Sequence, residues 1–459
     1  MRLIKKARRI LKLRGAVDLG SSPVLSSLIR LSVPSIAMVL FHTLFNLVDT
    51  IFISWLGESH MVAISYTFPV QIGVFAILEG VGNGVTALVG RRLGEGDHEL
   101  AQKTATAGLA FAYTLYLLWI PFLFPGPSNA FFRMLGATDP VTLRQAWLYN
   151  MWIPPMLVLI SFSYVVNSIF RCQGNTMVPL YFFLIANGLN FILDPVFIFA
   201  FGWGMTGAAA ATFTGRFVGT FYLIKKLRES SEIKLSFFTR PRLGMMRIWG
   251  GITAIGLPVT LTTGSVAFGM GTVNKILSTT YGNIAVAGWM VGLRIEDLAF
   301  NYGRRSLERM RRGISSSFLI SGVITVAIGL ALAFVPRPII NLFRPTEEVA
   351  AVAIQSIRIT IAGYPMVIYS VLYNALFIAT GYSSYGLVIQ VCRSMLLRVP
   401  AVWLLASMVS IHWIWLFQPI SFAGAAALTW LFSWILLKKL RKDLNISLPD
   451  KNASDGQDG

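Results

Sequence analysis

The segment that decides the fold is residues 178–202, VPLYFFLIANGLNFILDPVFIFAFG, in which Asp194 is the only charged residue. A helix of about 20 apolar residues is long enough to cross the hydrocarbon core of a bilayer. A carboxylate inside such a helix is costly unless it has a partner or a function. The segment therefore predicts a transmembrane helix that carries a functional aspartate.

The rest of the chain has the same character. Apolar residues make up 55% of the 459 residues and charged residues only 13%, and the mean hydropathy is +0.65. A soluble domain has about 25% charged residues, so this composition excludes that class. The cysteines Cys172 and Cys392 are isolated and give neither a metal-binding nor a disulfide pattern. The composition predicts an all-α polytopic membrane protein.

Segments like this one recur along the chain in two sets of six. The first set lies at about 29–56, 61–90, 104–125, 146–170, 178–202 and 205–224, and the second at about 250–280, 283–302, 313–343, 352–378, 384–409 and 414–437. We therefore expect twelve transmembrane helices in two pseudo-symmetric six-helix lobes. The predicted organisation is a basic amphipathic segment (1–28), an amino-terminal lobe (29–224), a basic linker (225–249), a carboxy-terminal lobe (250–437) and a polar tail (438–459).

The positive charge of the chain is concentrated between these segments. The net charge is +19, and most lysines and arginines lie in residues 1–30, 91–103, 225–247, 304–312 and 438–451. Basic loops beside apolar segments are typical of the cytoplasmic side of a membrane protein. We therefore predict a multi-pass protein of the cytoplasmic (inner) cell membrane with both termini in the cytoplasm. The basic residues predict contact with anionic membrane lipids and not with nucleic acid.

The two sets of segments align with each other as an internal repeat. Pro34 aligns with Pro258 and Val62-Ala63 with Val286-Ala287, both at an offset of 224 residues. Gly207-Ala-Ala-Ala matches a second Gly-Ala-Ala-Ala at Gly424. Because six spans return the chain to its starting side, the halves are predicted to be parallel repeats related by an axis along the membrane normal.

The repeat is broken at the eighth segment. After the Val-Ala pair the offset falls from 224 to 209, so the second half is 15 residues short there. The remaining segment, about Asn283 to Tyr302, carries Arg294, Glu296 and Asp297. Twenty residues of helix measure roughly 30 Å, which barely spans a bilayer. We expect a short, strained crossing; the alternative is a deletion that impairs this lobe.

Polar side chains form one stripe on the first segment. His42, Thr43, Asn46, Asp49 and Thr50 are spaced three and four residues apart, which places them on one helix face. Asp49 is the only carboxylate of the stripe. It is interpreted either as an ion-binding group or as an aspartate near the outer helix end with its carboxylate in water.

The fifth segment repeats the pattern with Asn187, Asn190 and Asp194. Pro195 lacks an N–H group, which frees a backbone carbonyl and favours a bend. Thr212, in the small-residue start of the sixth segment, adds a hydroxyl. These oxygen ligands suit a hard cation such as Na⁺ or, once a carboxylate is buried, a proton. The alternative is a polar packing stripe between helices.

The repeat confines these carboxylates to the first lobe. Val273 aligns with Asp49, and Val399-Pro400 aligns with Asp194-Pro195. Ion binding is therefore expected only in the amino-terminal lobe.

Two further charges lie inside predicted spans. Glu79 is in the second segment and Arg216 in the sixth, and Tyr149 begins the fourth. The two charges can be mutual counter-ions, a substrate-contacting acid and its partner, or groups facing a wet cavity.

No catalytic cluster, phosphate-binding loop or cofactor motif is recognisable, so the protein is expected not to be an enzyme and to use an ion gradient.

Several motifs resemble one family of transporters. They occur in the family's order at Phe45-Asn-Leu-Val-Asp49-Thr-Ile-Phe, Gly90-Arg-Arg-Leu-Gly-Glu-Gly96, Asn167-Ser-Ile-Phe-Arg-Cys-Gln-Gly174, Leu193-Asp-Pro-Val-Phe-Ile-Phe199 and Leu293-Arg-Ile-Glu-Asp-Leu-Ala-Phe300. Over about residues 24–440 the chain is similar to the multidrug and toxic compound extrusion (MATE) transporters, in particular the prokaryotic branch. After Phe300 the family usually continues with more apolar residues, whereas here Asn301-Tyr-Gly303 follows at once.

The resemblance implies a function and a site. It implies export of amphipathic, often cationic, compounds in exchange for H⁺ or Na⁺ by alternating access, with no other cofactor. It implies a coupling site at Asp49, Asn190, Asp194 and Thr212, with support from Tyr149. It further implies a kink at Pro34 in the first helix.

Two alternatives to export stay open. One is a flippase of a lipid-linked saccharide, which is disfavoured because arginines inside the predicted spans are few. The other is a transport-impaired binding protein, which the short eighth segment favours. A monomer is expected, and the physiological substrate is not predicted by the sequence.

Overall fold

The computed structural model describes residues 41, 43–230, 233–235, 243–303, 334–379 and 383–443. The described residues are helical throughout and contain no β-strand. The predicted amphipathic segment 1–28, the kink residue Pro34 and all but the first residues of the polar tail lie outside the described residues.

The first half contains eight α-helices among the described residues. They are α1 (Thr43–Ser54), α2 (Glu58–Gly94), α3 (His98–Tyr116), α4 (Pro125–Met134), α5 (Pro140–Asn150), α6 (Ile153–Cys172), α7 (Met177–Pro195) and α8 (Gly204–Ser230). A 3-10 helix (Leu117–Leu123) follows α3, and a π-helix (Val196–Ala200) follows α7.

The second half contains seven α-helices among the described residues. They are α9 (Met246–Gly303), α10 (Arg337–Asn341), α11 (Glu347–Ile361), α12 (Tyr364–Ala379), α13 (Ser383–Val391), α14 (Arg398–Met408) and α15 (Phe417–Asp443). A π-helix (Cys392–Leu397) joins α13 to α14, and short 3-10 helices precede α9 and α15.

Seven helical stretches in the described part of the chain are long and apolar enough to cross a membrane. They are Glu58–Gly94, His98–Leu123, Pro140–Cys172, Met177–Ala200, Met246–Val291, Ser384–Met408 and Ile414–Leu436. The helices extend into the predicted linker from both sides, since α8 continues to Ser230 and α9 begins at Met246. Most of the predicted ninth segment, 313–343, lies outside the described residues.

Close helix contacts repeat in the two halves. A Cβ atom on Gly207 would lie 2.6 Å from the carbonyl oxygen of Phe197, in the first π-helix. A Cβ on Gly424 would lie 2.5 Å from the side chain of Leu397, in the second π-helix. In each half, therefore, the glycine of a Gly-Ala-Ala-Ala run lets the last helix approach a π-helical turn of the preceding one. This correspondence supports the internal repeat.

The two halves meet along α2 and the first part of α9, which run antiparallel. Near one end, Asn274 donates a hydrogen bond of 2.6 Å to the backbone oxygen of Ser65. Towards the other end, a Cβ on Gly84 would lie 2.6 Å from the backbone oxygen of Ile252. The helices touch backbone to backbone there, which only glycine permits.

The short eighth segment continues α9 after a break. Gly282 has φ 74° and ψ −170°, and helix resumes immediately and ends at Gly303. The helix after the break is roughly 30 Å long, whereas its counterpart α2, with 37 residues, is roughly 55 Å long. Val286 and Ala287 are fully buried, as are Val62 and Ala63 in α2. The shortening therefore leaves the packed beginning of this helix in place.

Candidate functional site

A cavity lies within the first half, and helices α1, α2, α5, α6, α7 and α8 contribute to its wall. Its polar lining residues are Asn46, Asp49, Gln71, Tyr149, Asn187, Asn190, Thr212 and Arg216. Its apolar residues are Phe45, Val74, Phe75, Ile153, Met156, Ile160 and Ala209. The structure thus brings the polar residues predicted on separate segments to one concave surface, which suits an amphipathic ligand.

Asp194 lies directly behind this wall and is fully buried. The amide nitrogen of Asn190, one helical turn earlier, donates to Asp194 Oδ1 at 2.8 Å and to Thr212 Oγ1 at 3.2 Å. Thr212 in turn donates to the backbone oxygen of Ala208 at 3.1 Å. Asp194 Oδ2 accepts no hydrogen bond from the described residues. One oxygen of the carboxylate is therefore fixed, and the other is left for a proton or a cation.

Asp49 reaches the same place from α1. Its side chain is 9% exposed and lines the cavity, and its carboxylate interacts electrostatically with that of Asp194. The alternative that places this carboxylate in water near a helix end does not fit such burial. Two buried carboxylates close together repel each other when both are charged, so the arrangement favours sharing a proton or a metal cation.

The two possible cations fit the observed hydrogen bonds differently. A proton on either carboxylate requires no rearrangement, because the Asn190 amide already donates to Asp194. Sodium is bound by oxygen atoms, and Asn190 turns its nitrogen, not its oxygen, towards Asp194 and Thr212. A Na⁺ ion held by Asp49, Asn190, Asp194 and Thr212 therefore requires the amide to turn over.

The helix type changes after Pro195, the residue that follows Asp194. It is the last residue of α7, and the following turn is π-helical, with Phe201 N–H donating to the oxygen of Val196 at 2.9 Å. Proline cannot donate to the preceding turn, which frees a carbonyl and allows the wider winding. Two more residues of the stripes, Asn46 and Asn187, line the cavity. Asn187 donates to Phe183 O at 2.9 Å, and the backbone oxygen of Asn46 accepts from the Thr50 hydroxyl.

Glu79 and Arg216 are not counter-ions of each other. Glu79 Oε2 accepts a hydrogen bond of 3.1 Å from Thr263 in the other half of the molecule. Arg216 lines the cavity, and within the described part of the chain no carboxylate oxygen lies within 4.0 Å of it. Its electrostatic neighbours are Tyr149 and Tyr164. Glu79 thus belongs to the contact between halves and Arg216 to the cavity.

One polar residue of the cavity, Gln71, is not among the residues predicted from the sequence. Gln71 lines it from α2 and donates a long hydrogen bond of 3.4 Å to Thr67. A polar residue inside an apolar segment indicates a functional position, and Gln71 is such a residue. Arg393 and Arg398 are also polar residues inside an apolar span, Ser384–Met408. The side chain of Arg398 is 5% exposed. These arginines weaken the sequence argument that intramembrane arginines are few.

A family model decides the identity of the fold and the class of protein. The MatE model matches residues 34–196 and 269–404, one stretch in each half. The chain belongs to the MatE family. MatE proteins are membrane transporters and not enzymes, as the sequence had predicted.

Curated MatE relatives cover most of the chain. It is 26% identical over 388 residues to the multidrug export protein MepA of Staphylococcus aureus strain N315, which covers 78% of this chain and 82% of the relative. It is 28% identical over 413 residues to a FAD transporter of Shewanella oneidensis, which covers 83% of this chain and 88% of the relative.

Solved MatE structures share the fold. The inward-facing form of a MATE family transporter superposes with a TM-score of 0.77 at 23% identity, covering 91% of this chain and 99% of that one. An outward-facing form gives a TM-score of 0.68 at 23% identity, covering 94% and 98%. The predicted fold class, a polytopic membrane protein of twelve helices in two lobes, is confirmed.

Proposed function

We propose that this protein is a secondary active exporter that moves amphipathic organic compounds, cationic ones included, out of the cell in exchange for H⁺ or Na⁺. The observation that carries the proposal is the pair of buried carboxylates, Asp49 and Asp194, at a cavity whose lining is partly polar and partly apolar. Membership of a transporter family and the likeness to a multidrug export protein support it.

The proposed mechanism is alternating access through the amino-terminal lobe. Buried acids inside a membrane commonly mark proton or ion pathways. Uptake of one cation by Asp49 and Asp194 would lower the charge of the pair from −2 to −1, which reduces the repulsion between α1 and α7 and changes the cavity between them. Substrate and cation would then favour different shapes of one cavity, which is the thermodynamic requirement for exchange.

The hydrogen bonds of Asn190 are compatible with H⁺ as the exchanged ion. Its amide nitrogen donates to the carboxylate, which is compatible with protonation of the second carboxylate oxygen. A bound Na⁺ would need the amide oxygen instead.

The expected location is the cytoplasmic (inner) cell membrane, with both termini in the cytoplasm, because the basic residues flank that side in the sequence.

The test is efflux of ethidium from liposomes that contain the purified protein, with either a pH or a Na⁺ gradient imposed. The variant is Asp194→Asn, which keeps the shape of the side chain but cannot take up the coupling cation. We expect the pH gradient to drive efflux by the wild type and Asp194→Asn to reduce it at least tenfold. Asp139→Asn is the matched control, since Asp139 lies outside the cavity at a helix end.

The outcomes separate the alternatives. Unchanged efflux in Asp194→Asn would overturn the coupling role. Efflux driven only by Na⁺ would show that the Asn190 amide turns over. Binding of ethidium without flux under either gradient would indicate a transport-impaired binding protein and direct attention to the shortened helix after Gly282.

A further inference from the structure

Arg216 is a half-buried cation that lines the cavity. It lies at the middle of α8, one turn after Thr212, and its side chain forms part of the cavity wall. Its Nε atom is buried and has no hydrogen-bond partner. Within the described residues no carboxylate forms an ion pair with it, and its electrostatic neighbours are the hydroxyl groups of Tyr149 and Tyr164.

Four other arginines of the described part have a partner within the protein. Arg171, also near Tyr164, donates to Ser168 Oγ at 2.9 Å. Arg91 and Arg92 pair with one glutamate, and Arg344 lies over an aromatic ring. A guanidinium carries five N–H donors and stays charged at any physiological pH. Inside a membrane such a group needs a partner, and at Arg216 the described residues supply no carboxylate.

The surroundings of Arg216 define what that partner would be. The guanidinium faces a space whose other walls include aromatic and aliphatic side chains such as Phe75, Met156 and Ile160. A planar guanidinium binds carboxylate and phosphate groups through two parallel hydrogen bonds. The missing partner is therefore an oxyanion attached to an apolar body, and Tyr149 is placed to add a hydroxyl donor.

We infer that the cavity takes amphipathic compounds that carry an oxyanion, a carboxylate or a phosphate, and that Arg216 binds this group. The inference rests on the proposed function to the extent that the cavity is the substrate site. Among amphipathic compounds, it predicts tighter binding of those with an anionic group. Such a compound can carry a positive charge as well, because Asp49 lines the same cavity.

Equilibrium binding of two matched dyes tests this inference on purified protein in detergent. Rhodamine 110 carries a free carboxylate, and rhodamine 123 is its methyl ester, so the pair differs only in the anionic group. Fluorescence anisotropy gives both dissociation constants. We expect the wild type to bind rhodamine 110 at least about tenfold more tightly, since hydrogen bonds to charged groups contribute about 1.5–3 kcal/mol.

Three variants assign that preference. Arg216→Gln is expected to abolish the preference, and Arg216→Lys, which keeps the charge, to retain part of it. Arg171→Gln removes the same charge outside the cavity lining and is expected to leave the preference unchanged. Competition by benzoate against phenyl phosphate then shows which oxyanion is favoured.

The inference would be overturned by equal affinity of the wild type for the two dyes, by tighter binding of rhodamine 123, or by a preference that survives in Arg216→Gln. The comparison of dyes on the wild type holds even when a variant fails to fold. Because binding is measured without a gradient, its result is independent of the transport experiment. A carboxylate preference without gradient-driven efflux would uphold this inference and reject the exporter.

Discussion

At the scale of single residues, one aspartate completes a helix end and another lies buried beside the cavity. Asp139 shows the first case, outside the membrane-spanning part. Its carboxylate accepts hydrogen bonds from the backbone N–H of Thr142 at 2.8 Å and from the Thr142 hydroxyl at 2.7 Å. These bonds lower the pKa of Asp139 below its usual value of 3.8. Asp194 shows the second case, with one oxygen bonded and one open.

Removing the Asp139 cap should destabilise the protein modestly. Asp139→Ala is expected to cost about 1 kcal/mol, because it leaves a helix N-terminal N–H without its acceptor. Asp139→Asn should retain most of the stability. The contribution is complete above the usual aspartate pKa and is lost as the pH falls through the lowered value. Thermal unfolding in detergent at pH 7 measures the difference; equal stability of the Ala and Asn variants would contradict the assignment.

At the scale of helices, the contact between α2 and α9 depends on glycine. A Cβ on Gly80 would lie 2.7 Å from the backbone oxygen of Gly256 and would also collide with the hydroxyl of Thr260. The same helix carries Gly73, where an added Cβ atom would have no neighbour within 4 Å. The hydrogen bond from Thr263 to Glu79 lies beside the Gly80 contact. Helix α2 therefore tolerates a side chain at Gly73 but not at Gly80.

Alanine substitutions at the two glycines should have opposite effects. Gly80→Ala is expected to lower stability by about 1–3 kcal/mol, because the added methyl group forces two backbones apart. Gly73→Ala is expected to be neutral or stabilising by about 0.5–1 kcal/mol, since alanine favours helix. Thermal unfolding and ethidium efflux can be measured on both. A Gly80→Ala protein as stable and active as Gly73→Ala would show that the helices are not in close contact.

At the scale of the whole molecule, the two halves are joined by side-chain contacts at one end of the α2 and α9 pair. Trp55, just after α1, donates from Nε1 to the backbone oxygen of Leu342 at 2.8 Å, and the guanidinium of Arg344 lies 4.2 Å from its ring centre. On the other side, Ser278 donates to the oxygen of Gly136 at 3.2 Å. Each half thus supplies a loop that receives a hydrogen bond from the other, and the proposed alternating access would require these contacts to break.

Weakening the Trp55 contact should open this end of the molecule. In a Cys172→Ala, Cys392→Ala background, Ser65→Cys places a reporter that is buried between the halves. Trp55→Ala is expected to raise its rate of labelling by a membrane-impermeant maleimide about two- to tenfold, which corresponds to the loss of about one hydrogen bond.

Two comparisons check that result. Trp55→Phe keeps the ring under Arg344 and should give an intermediate rate. A reporter at Ser161→Cys, which is buried within the first half, should not change. Identical labelling of Ser65→Cys with and without Trp55 would show that this contact does not hold the halves together.

The sequence by itself determined the class of protein, the repeat and the polar residues of the amino-terminal lobe. Hydropathy and charge placement report on the bilayer directly, because a helix inside it must be apolar and its loops are sorted by charge. The spacing of Asn187, Asn190 and Asp194 placed them on one helix face without any coordinates. The shortened eighth segment was also readable, since the repeat supplied its own reference.

Only the tertiary structure decided which side chains meet. The approach of Asp49 to Asp194, the direction of the Asn190 amide and the separation of Glu79 from Arg216 all depend on how helices distant in sequence pack and rotate. Periodicity along one helix shows which residues share a face, but not which helix packs against that face. For this reason the sequence left Glu79 and Arg216 as a possible pair, whereas the structure places one between the halves and the other at the cavity.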